Sequence, residues 1–233
     1  MWLINSSIGR KMIMSITGVL LVLFLIFHGT MNFVVLFSQD VYNAISAFLG
    51  ANWYALVATK ILAIGFVVHI LYAVFLTFLN MRARGNIRYE VSGKQKGVDW
   101  ASKNMFILGV IVLGFLVLHL YQFWSRMQLV EINHLLGVHV DAYQLEKATD
   151  GAYWVHKWFS QPVYSILYIV WLIALWFHLT HGVWSSLQSL GLNNTIWMQR
   201  IKIIANVLST IIVLMFISIP IYFLLGGGTN WTV

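Results

Sequence analysis

The chain has 233 residues, of which 60% are hydrophobic and 9% charged, with a formal net charge of +7 and no cysteine. Soluble domains carry about 25% charged residues, so this composition excludes an ordinary soluble domain and favours a protein whose surface faces lipid. The lack of cysteine excludes disulfides, thiolate metal sites and cysteine-held iron–sulfur clusters within this sequence.

Five apolar stretches are long enough to cross a bilayer, which takes roughly 20 residues of helix. We therefore predict an all-α membrane protein, a five-transmembrane-helix bundle, in a single domain over residues 1–233. The predicted spans are about 12–37, 55–81, 104–125, 163–187 and 203–226. The first span is expected to be retained, because its apolar run is too long for a cleavable signal peptide.

Basic residues concentrate on one side of this predicted topology. The other side carries four Lys and Arg and five of the seven acids. The positive-inside rule then predicts a cytoplasmic N-terminus and an outer C-terminus. Because the charges flank spans, nucleic acid is not an expected partner. The polar loop 82–100 is suited to bind a soluble protein partner. The ten basic residues on the first side are Arg10, Lys11, Arg82, Arg84, Arg88, Lys94, Lys96, Lys103, Arg200 and Lys202.

Five of the eight histidines fall inside predicted spans, where an ionisable side chain is costly and is a candidate functional residue. They are His28, His69, His119, His178 and His181. Counted from the cytoplasmic ends, His28 and His119 lie at about 24 and 22 Å. On the same count, His69 and His178 lie at about 18 and 14 Å. The histidines thus form an outer pair from spans one and three and an inner pair from spans two and four.

Two imidazoles that face each other across a gap are the axial ligands of a six-coordinate haem. We therefore expect the bundle to enclose two stacked haems without an open position for oxygen, which leaves electron transfer as the chemistry. Glycines in the spans, namely Gly29, Gly65, Gly114 and Gly182, are expected to permit close approach. For any single histidine, an interhelical hydrogen bond is the competing interpretation.

The motifs around these histidines are "SSIGRKMIMSITGVLLVLFLIFH", with Asn32 four residues after His28, then "VVHILYAVFLTF", "LHLYQFWSR" and "FHLTHGVWSSLQSLGL". Over nearly the whole chain they resemble the diheme cytochrome b membrane anchor subunit of bacterial succinate dehydrogenase and fumarate reductase, of the single-chain, five-helix type. The resemblance implies a bacterial cytoplasmic membrane protein with a flavoprotein subunit and an iron–sulfur subunit as partners. It implies menaquinone or another quinone as the substrate here, and succinate or fumarate chemistry in a partner subunit.

The resemblance also implies a distal haem on His28 and His119 and a proximal haem on His69 and His178. In the family's second and fourth helices, three residues and a glycine follow the ligand. His178 with Gly182 keeps that spacing, so His178 rather than His181 is the expected ligand, while His69 departs from it. His181 is expected to bond a haem propionate, contact a partner or remain a satisfied polar residue. Some family members carry a glutamate two residues before the fourth-helix ligand, where this chain has Trp176.

Other polar residues are candidates near the two haems. Basic and hydroxyl side chains at both ends of the spans are candidates to bind haem propionates. Membrane topology and snorkelling of long basic side chains are competing explanations of the charges. These candidates are Arg10, Lys11, Ser15 and Arg126. The quinone site of the family lies toward the outer face, where Asp40 and Asn43 are the nearest polar residues. Ordinary loop capping is the alternative for both.

Two other functions are open. The first is the cytochrome b anchor of another respiratory dehydrogenase, although such cytochromes commonly place two ligands on a single helix. The second is a haem-free transporter or assembly factor that uses its intramembrane histidines for protons or a metal ion. Whether the complex oxidises succinate or reduces fumarate depends on potentials that the sequence does not reveal.

Overall fold

The computed structural model describes residues 6–50, 52–84, 100–192, 194–229 and 231. Within these ranges the chain is helical without a β-strand, and five helices are long and apolar enough to cross a membrane. The helices are α1 (Ser7–Phe33), α2 (Gln39–Phe48), α3 (Trp53–Arg84), α4 (Trp100–Lys103), α5 (Met105–His119), α6 (Gln128–Leu135), α7 (Ala142–Ala148), α8 (Gly151–Phe159), α9 (Pro162–Ser189) and α10 (Trp197–Leu224). The predicted all-α class and five apolar spans are confirmed. Most of the loop expected to contact a soluble partner, including Arg88, Lys94 and Lys96, lies outside the described residues.

The helix ends differ from the predicted spans because capping groups decide where each helix begins. α1 begins several residues before the predicted span, where the Ser6 hydroxyl accepts a hydrogen bond from the Gly9 amide at 2.9 Å. Pro162 lies in the first turn of α9, where its missing N–H costs nothing. The connection between α5 and α9 contains two short helices at its end, since Asp150 accepts from the Tyr153 amide at 3.0 Å and starts α8.

α9 is the central helix of the bundle and packs against α1, α5 and α10. Its buried leucines, including Leu172 and Leu175, form a core with Ile212 and Val213 of α10. α3 lies at the periphery beside α1, and many of its apolar side chains are exposed. Apolar surface of this extent is normal for a protein that faces lipid and abnormal for a soluble monomer.

The long helices alternate in direction, so the bundle has two distinct ends. At one end, which we call the capped end, α2 and α8 cover the bundle with Tyr42, Val155 and Phe159 in a buried cluster. The opposite end, which we call the basic end, holds the start of α1, α5 and α10 and the end of α3 and α9. Its described Lys and Arg residues are Arg10, Lys11, Arg82, Lys103, Arg200 and Lys202.

Candidate functional site

The outer histidine pair comes together between α1 and α5 near the capped end. The ring centroids of His28 and His119 lie 5.9 Å apart, with the ring planes at 85°. Imidazole nitrogens bind transition metals at about 2 Å, so two rings on opposite sides of one metal have centroids about 6 Å apart. The spacing of this pair therefore fits two axial ligands of one metal centre.

A chain of polar side chains holds His28. The Asn32 amide nitrogen donates to the His28 carbonyl oxygen at 2.8 Å and lies 3.3 Å from Nδ1 of the ring. Tyr42, on α2, donates its hydroxyl proton to the Asn32 amide oxygen at 2.8 Å. Burial raises the pKa of Tyr42, so its hydroxyl remains the donor. Phe24 stacks on the other side of the His28 ring at 5.0 Å, and the imidazole is thereby fixed from two directions.

His119 lies at a change of helix type. It is the last residue of α5, and residues Leu120–Trp124 continue as a π-helix. π-helical turns are rare in proteins and frequently occur at functional sites. The ring of His119 contacts Trp171 at 5.9 Å and Phe123 at 5.1 Å, both measured between centroids. Its Nδ1 is buried and has no hydrogen-bond partner among the described residues.

Gln122 is a buried polar residue that the sequence reasoning missed. Its side chain is 1% exposed, and its Oε1 accepts the hydroxyl proton of Tyr168 at 2.7 Å. Its backbone oxygen accepts from the indole of Trp158 at 3.1 Å. An amide inside an apolar span is itself a signal for a functional residue, and this signal was available from the sequence.

The inner histidine pair consists of His69 on α3 and His178 on α9. His178 interacts electrostatically with both His69 and His181. His69 is held by Thr17 of α1, whose hydroxyl oxygen lies 3.2 Å from Nδ1 of the ring. Thr17 has only one hydroxyl proton, which the carbonyl oxygen of Ile13 takes at 2.9 Å. With its proton on that carbonyl, the hydroxyl oxygen can accept from Nδ1–H, the tautomer that leaves the lone pair on Nε2 of His69.

Two other glycines lie next to these two histidines. A Cβ atom on Gly18 would lie 3.7 Å from Cε1 of His69, and one on Gly109 would lie 3.8 Å from Cε1 of His178. Gly29 and Gly65, which were expected to make room for a flat group, instead face side chains of neighbouring helices. Gly65 is packed against Leu20, so it permits α1 and α3 to approach each other.

The remaining candidate on α9 lies toward the basic end. The ring of His181 contacts Trp184 at 4.8 Å, and the ammonium group of Lys202 lies 4.5 Å from the centre of the same indole. His181 thus lies beside an indole that also contacts a cation, toward the basic end of α9.

The residues considered for propionates lie at both ends. Ser15 is buried on α1, Arg10 is partly buried and Lys11 is exposed. Arg126 donates from Nη2 to the Tyr121 hydroxyl at 2.9 Å, with its guanidinium 5.0 Å from the centre of that ring. The structure thus gives Arg126 an aromatic partner near the capped end.

The two residues considered for a quinone have different surroundings. Asp40 is exposed in the first turn of α2. Asn43 donates to Oδ1 of Asp150 at 2.9 Å and accepts from the Ala152 amide at 2.8 Å. These bonds connect α2 to the start of α8, so both polar groups of the Asn43 side chain have structural partners.

The histidines occur as pairs and not as larger ligand clusters. No group of three or more His, Asp or Glu side chains suited to a metal ion occurs in the described ranges. A pair of imidazoles suits a metal whose other ligands come from a bound macrocycle. No protein-family model, curated protein or solved structure matches this chain.

Proposed function

We propose that this chain is the membrane anchor and electron-transfer subunit of a succinate:quinone oxidoreductase, either a succinate dehydrogenase or a fumarate reductase. The observation that carries the proposal is the meeting of imidazoles from four different apolar helices in two pairs. His28 and His119 would hold one haem b, and His69 and His178 the other. The single-chain, five-helix anchors that the sequence resembles have the same ligand distribution.

A haem accounts for a two-residue ligand set better than a bare metal ion does. A transition-metal ion bound only by protein usually takes four ligands, and three even at an open catalytic site. Each pair here offers two imidazoles, and a porphyrin supplies four equatorial nitrogens. Aromatic side chains next to the histidines, such as Phe24 beside His28, offer the apolar walls that a flat prosthetic group needs.

In this proposal the haems supply one-electron transfer, and the chain's own residues hold and orient them. Thr17 orients His69, and Asn32 with Tyr42 fixes His28. The complete reaction adds two electrons and two protons to a quinone to give a quinol, or the reverse. An iron–sulfur subunit exchanges the electrons at one face, and a flavoprotein subunit interconverts succinate and fumarate.

The orientation follows from the charges. The basic end, which is nearer the inner pair, would face the cytoplasm and the soluble subunits, and the capped end would face outward. The N-terminus would then be cytoplasmic and the C-terminus outside, in a bacterial cytoplasmic membrane. The outer pair, His28 and His119, would be the distal haem site and would exchange electrons with menaquinone or a related quinone.

The distribution of ligands also separates this proposal from its rivals. A cytochrome anchor with two ligands on one helix would have its histidines on fewer helices than the four found here. A haem-free transporter would use the same histidines as proton or metal groups, and it would be colourless. Haem content therefore decides between the proposal and the transporter.

The test is the difference spectrum of the purified full-length chain, dithionite-reduced minus oxidised, with a haem assay per chain. We expect two b haems per chain, and co-purification from the native membrane with a flavoprotein and an iron–sulfur protein. A colourless protein would overturn the proposal. A diheme protein that co-purifies with a different dehydrogenase would retain the haems and reject the succinate reaction.

Two variants on the same helix sharpen this test. His178→Ala should leave one haem per chain because it removes one axial ligand of the inner pair. His181→Ala is the matched control, one helical turn away, and should retain two. If His181→Ala loses a haem and His178→Ala does not, the assignment of the fourth-helix ligand is wrong.

A further inference from the structure

Besides Nε of Arg126, two neutral hydrogen-bond donors are buried at the capped end of the bundle without an acceptor among the described residues. They are the amide nitrogen of Gln122 and the indole nitrogen of Trp171. The exposed fractions of the two residues are 1% and 9%. Buried polar groups in proteins nearly always have a partner, so two such donors in one region point to an acceptor that the chain does not supply.

The residues that carry the two donors share a neighbour. Tyr168 connects them, because its hydroxyl donates to Oε1 of Gln122 at 2.7 Å and its ring lies 5.4 Å from the ring of Trp171. Tyr168 and Trp171 both contact His119, with ring centroids at 6.3 and 5.9 Å. The amide oxygen of Gln122 already accepts from Tyr168, so its amide nitrogen is the group that can donate to a ligand. The donors therefore lie next to the outer histidine pair.

The chemistry of the donors indicates the class of acceptor. An amide N–H and an indole N–H are both neutral, whereas a carboxylate is bound most strongly by a cation. The surroundings are flat and apolar, with Phe115 stacked on Trp171 at 5.8 Å and 13°. A neutral, planar ring that carries a carbonyl oxygen matches both properties.

We infer that Gln122 and Trp171 form a two-donor site for the carbonyl oxygen of a quinone head group, beside the His28–His119 pair. The inference rests on the proposed function, which makes a quinone the substrate. It places the head group away from Asn43, whose side chain is already bonded to α8, and away from the exposed Asp40. An ionised Asp40 would only accept hydrogen bonds, and a quinone carbonyl needs a donor.

The experiment measures binding of a short-chain naphthoquinone to the full-length chain in detergent by isothermal titration calorimetry. The variants are Gln122→Met, which keeps the volume and removes the amide, and Trp171→Phe, which keeps the Tyr168–Gln122 bond. Trp176→Phe is the matched control, because the Trp176 indole on the same helix already donates to Thr210 at 3.0 Å. Haem content and the reduction potentials of both haems are measured on the same samples.

We expect each of the two variants to weaken naphthoquinone binding about tenfold, the effect of one lost neutral hydrogen bond. The control should bind as the parent does, and all samples should keep the same haem content and potentials. Parent-like affinity in both variants would overturn the inference, as would a diheme parent that does not bind the naphthoquinone. If Gln122→Met does not fold, Trp171→Phe decides alone.

Two further results separate this inference from a haem-propionate role of the donors and from the proposed function. Unchanged naphthoquinone affinity with a shifted potential of one haem would assign the donors to a haem propionate and would reject the quinone site. A haem-free parent whose naphthoquinone affinity depends on Gln122 and Trp171 would reject the proposed electron-transfer function and support the binding site.

Discussion

At the scale of single residues, a histidine of each pair has a neighbouring polar group that orients it. Thr17 accepts from Nδ1 of His69, and Asn32 bridges the ring and carbonyl of His28. Side chains that orient a metal-binding imidazole select its tautomer and hold its ring in position. Both orienting residues lie on α1, so this helix positions a ligand on a neighbouring helix as well as its own.

Thr17→Val tests this role for the inner pair. Valine keeps the branched shape and removes the hydroxyl, so Nδ1–H of His69 loses its acceptor. We expect the inner haem to bind 10–100-fold more weakly, the typical effect of losing such a group. The measurement is the transfer of haem from the purified protein to excess apomyoglobin.

Thr30→Val is the matched control. Thr30 lies on the same helix and also donates to a backbone carbonyl oxygen, that of Ile26 at 2.8 Å, but it is exposed. The control should retain both haems as the parent does. Equal haem loss in the two variants would show that the effect comes from α1 itself and not from His69.

At the scale of elements, the cap formed by α2 and α8 and the π-helix after α5 shape the capped end. The π-helix adds one residue to the turn that follows His119, and it carries Gln122 into the interior. The cap buries Tyr42, which reaches Asn32 and thereby His28. Elements that hydropathy alone would treat as a span end and a loop therefore hold the residues around the outer pair.

Asn43→Ala tests the attachment of the cap. Asn43 makes two hydrogen bonds to the start of α8, and their loss leaves the Ala152 amide without this acceptor. We expect destabilisation of about 1–3 kcal/mol, which lowers Tm by several degrees in thermal unfolding followed by tryptophan fluorescence. Asp40→Ala, an exposed position on the same helix, should change Tm little.

The same variant distinguishes the two roles considered for Asn43. A structural role predicts that naphthoquinone affinity is retained in the folded variant. Weakened binding of the naphthoquinone at an unchanged Tm would return Asn43 to the quinone site.

At the scale of the whole molecule, the bundle is asymmetric along its axis. Histidine pairs lie at two heights, the described basic side chains flank one end, and two short helices cover the other. The proposed function would use this asymmetry, because a soluble partner and a quinone would meet the chain at different depths. Five crossings, an odd number, would place the two ends of the described ranges on opposite sides of the membrane.

The orientation can be measured directly because the chain contains no cysteine. Single cysteines are introduced at Lys103, exposed at the basic end, and at Leu225, which is 83% exposed at the capped end. We expect a membrane-impermeant maleimide to label Leu225→Cys in intact cells and Lys103→Cys only after permeabilisation. The unsubstituted chain provides the background. The opposite labelling pattern would reverse the proposed topology.

The sequence by itself determined the class of protein and the number of apolar helices. Hydropathy and length are properties of each segment alone, since a segment that must hydrogen-bond its own backbone in lipid becomes a helix wherever it packs. The depth of each histidine followed from the rise per residue. On that basis His28 is grouped with His119, whose rings lie 5.9 Å apart, and the grouping of His69 with His178 stays a prediction.

The tertiary structure decided which side chains surround those histidines. Thr17 meets His69 because α1 packs against α3, and Tyr168 meets Gln122 because α9 packs against α5, which the π-helix continues. It also decided that Asn43 serves the cap and that Gly18 rather than Gly65 lies beside a histidine. The physical reason is that a buried polar group needs a hydrogen-bond partner, and helix packing decides which residue becomes that partner. In each of these cases the partner is distant along the chain.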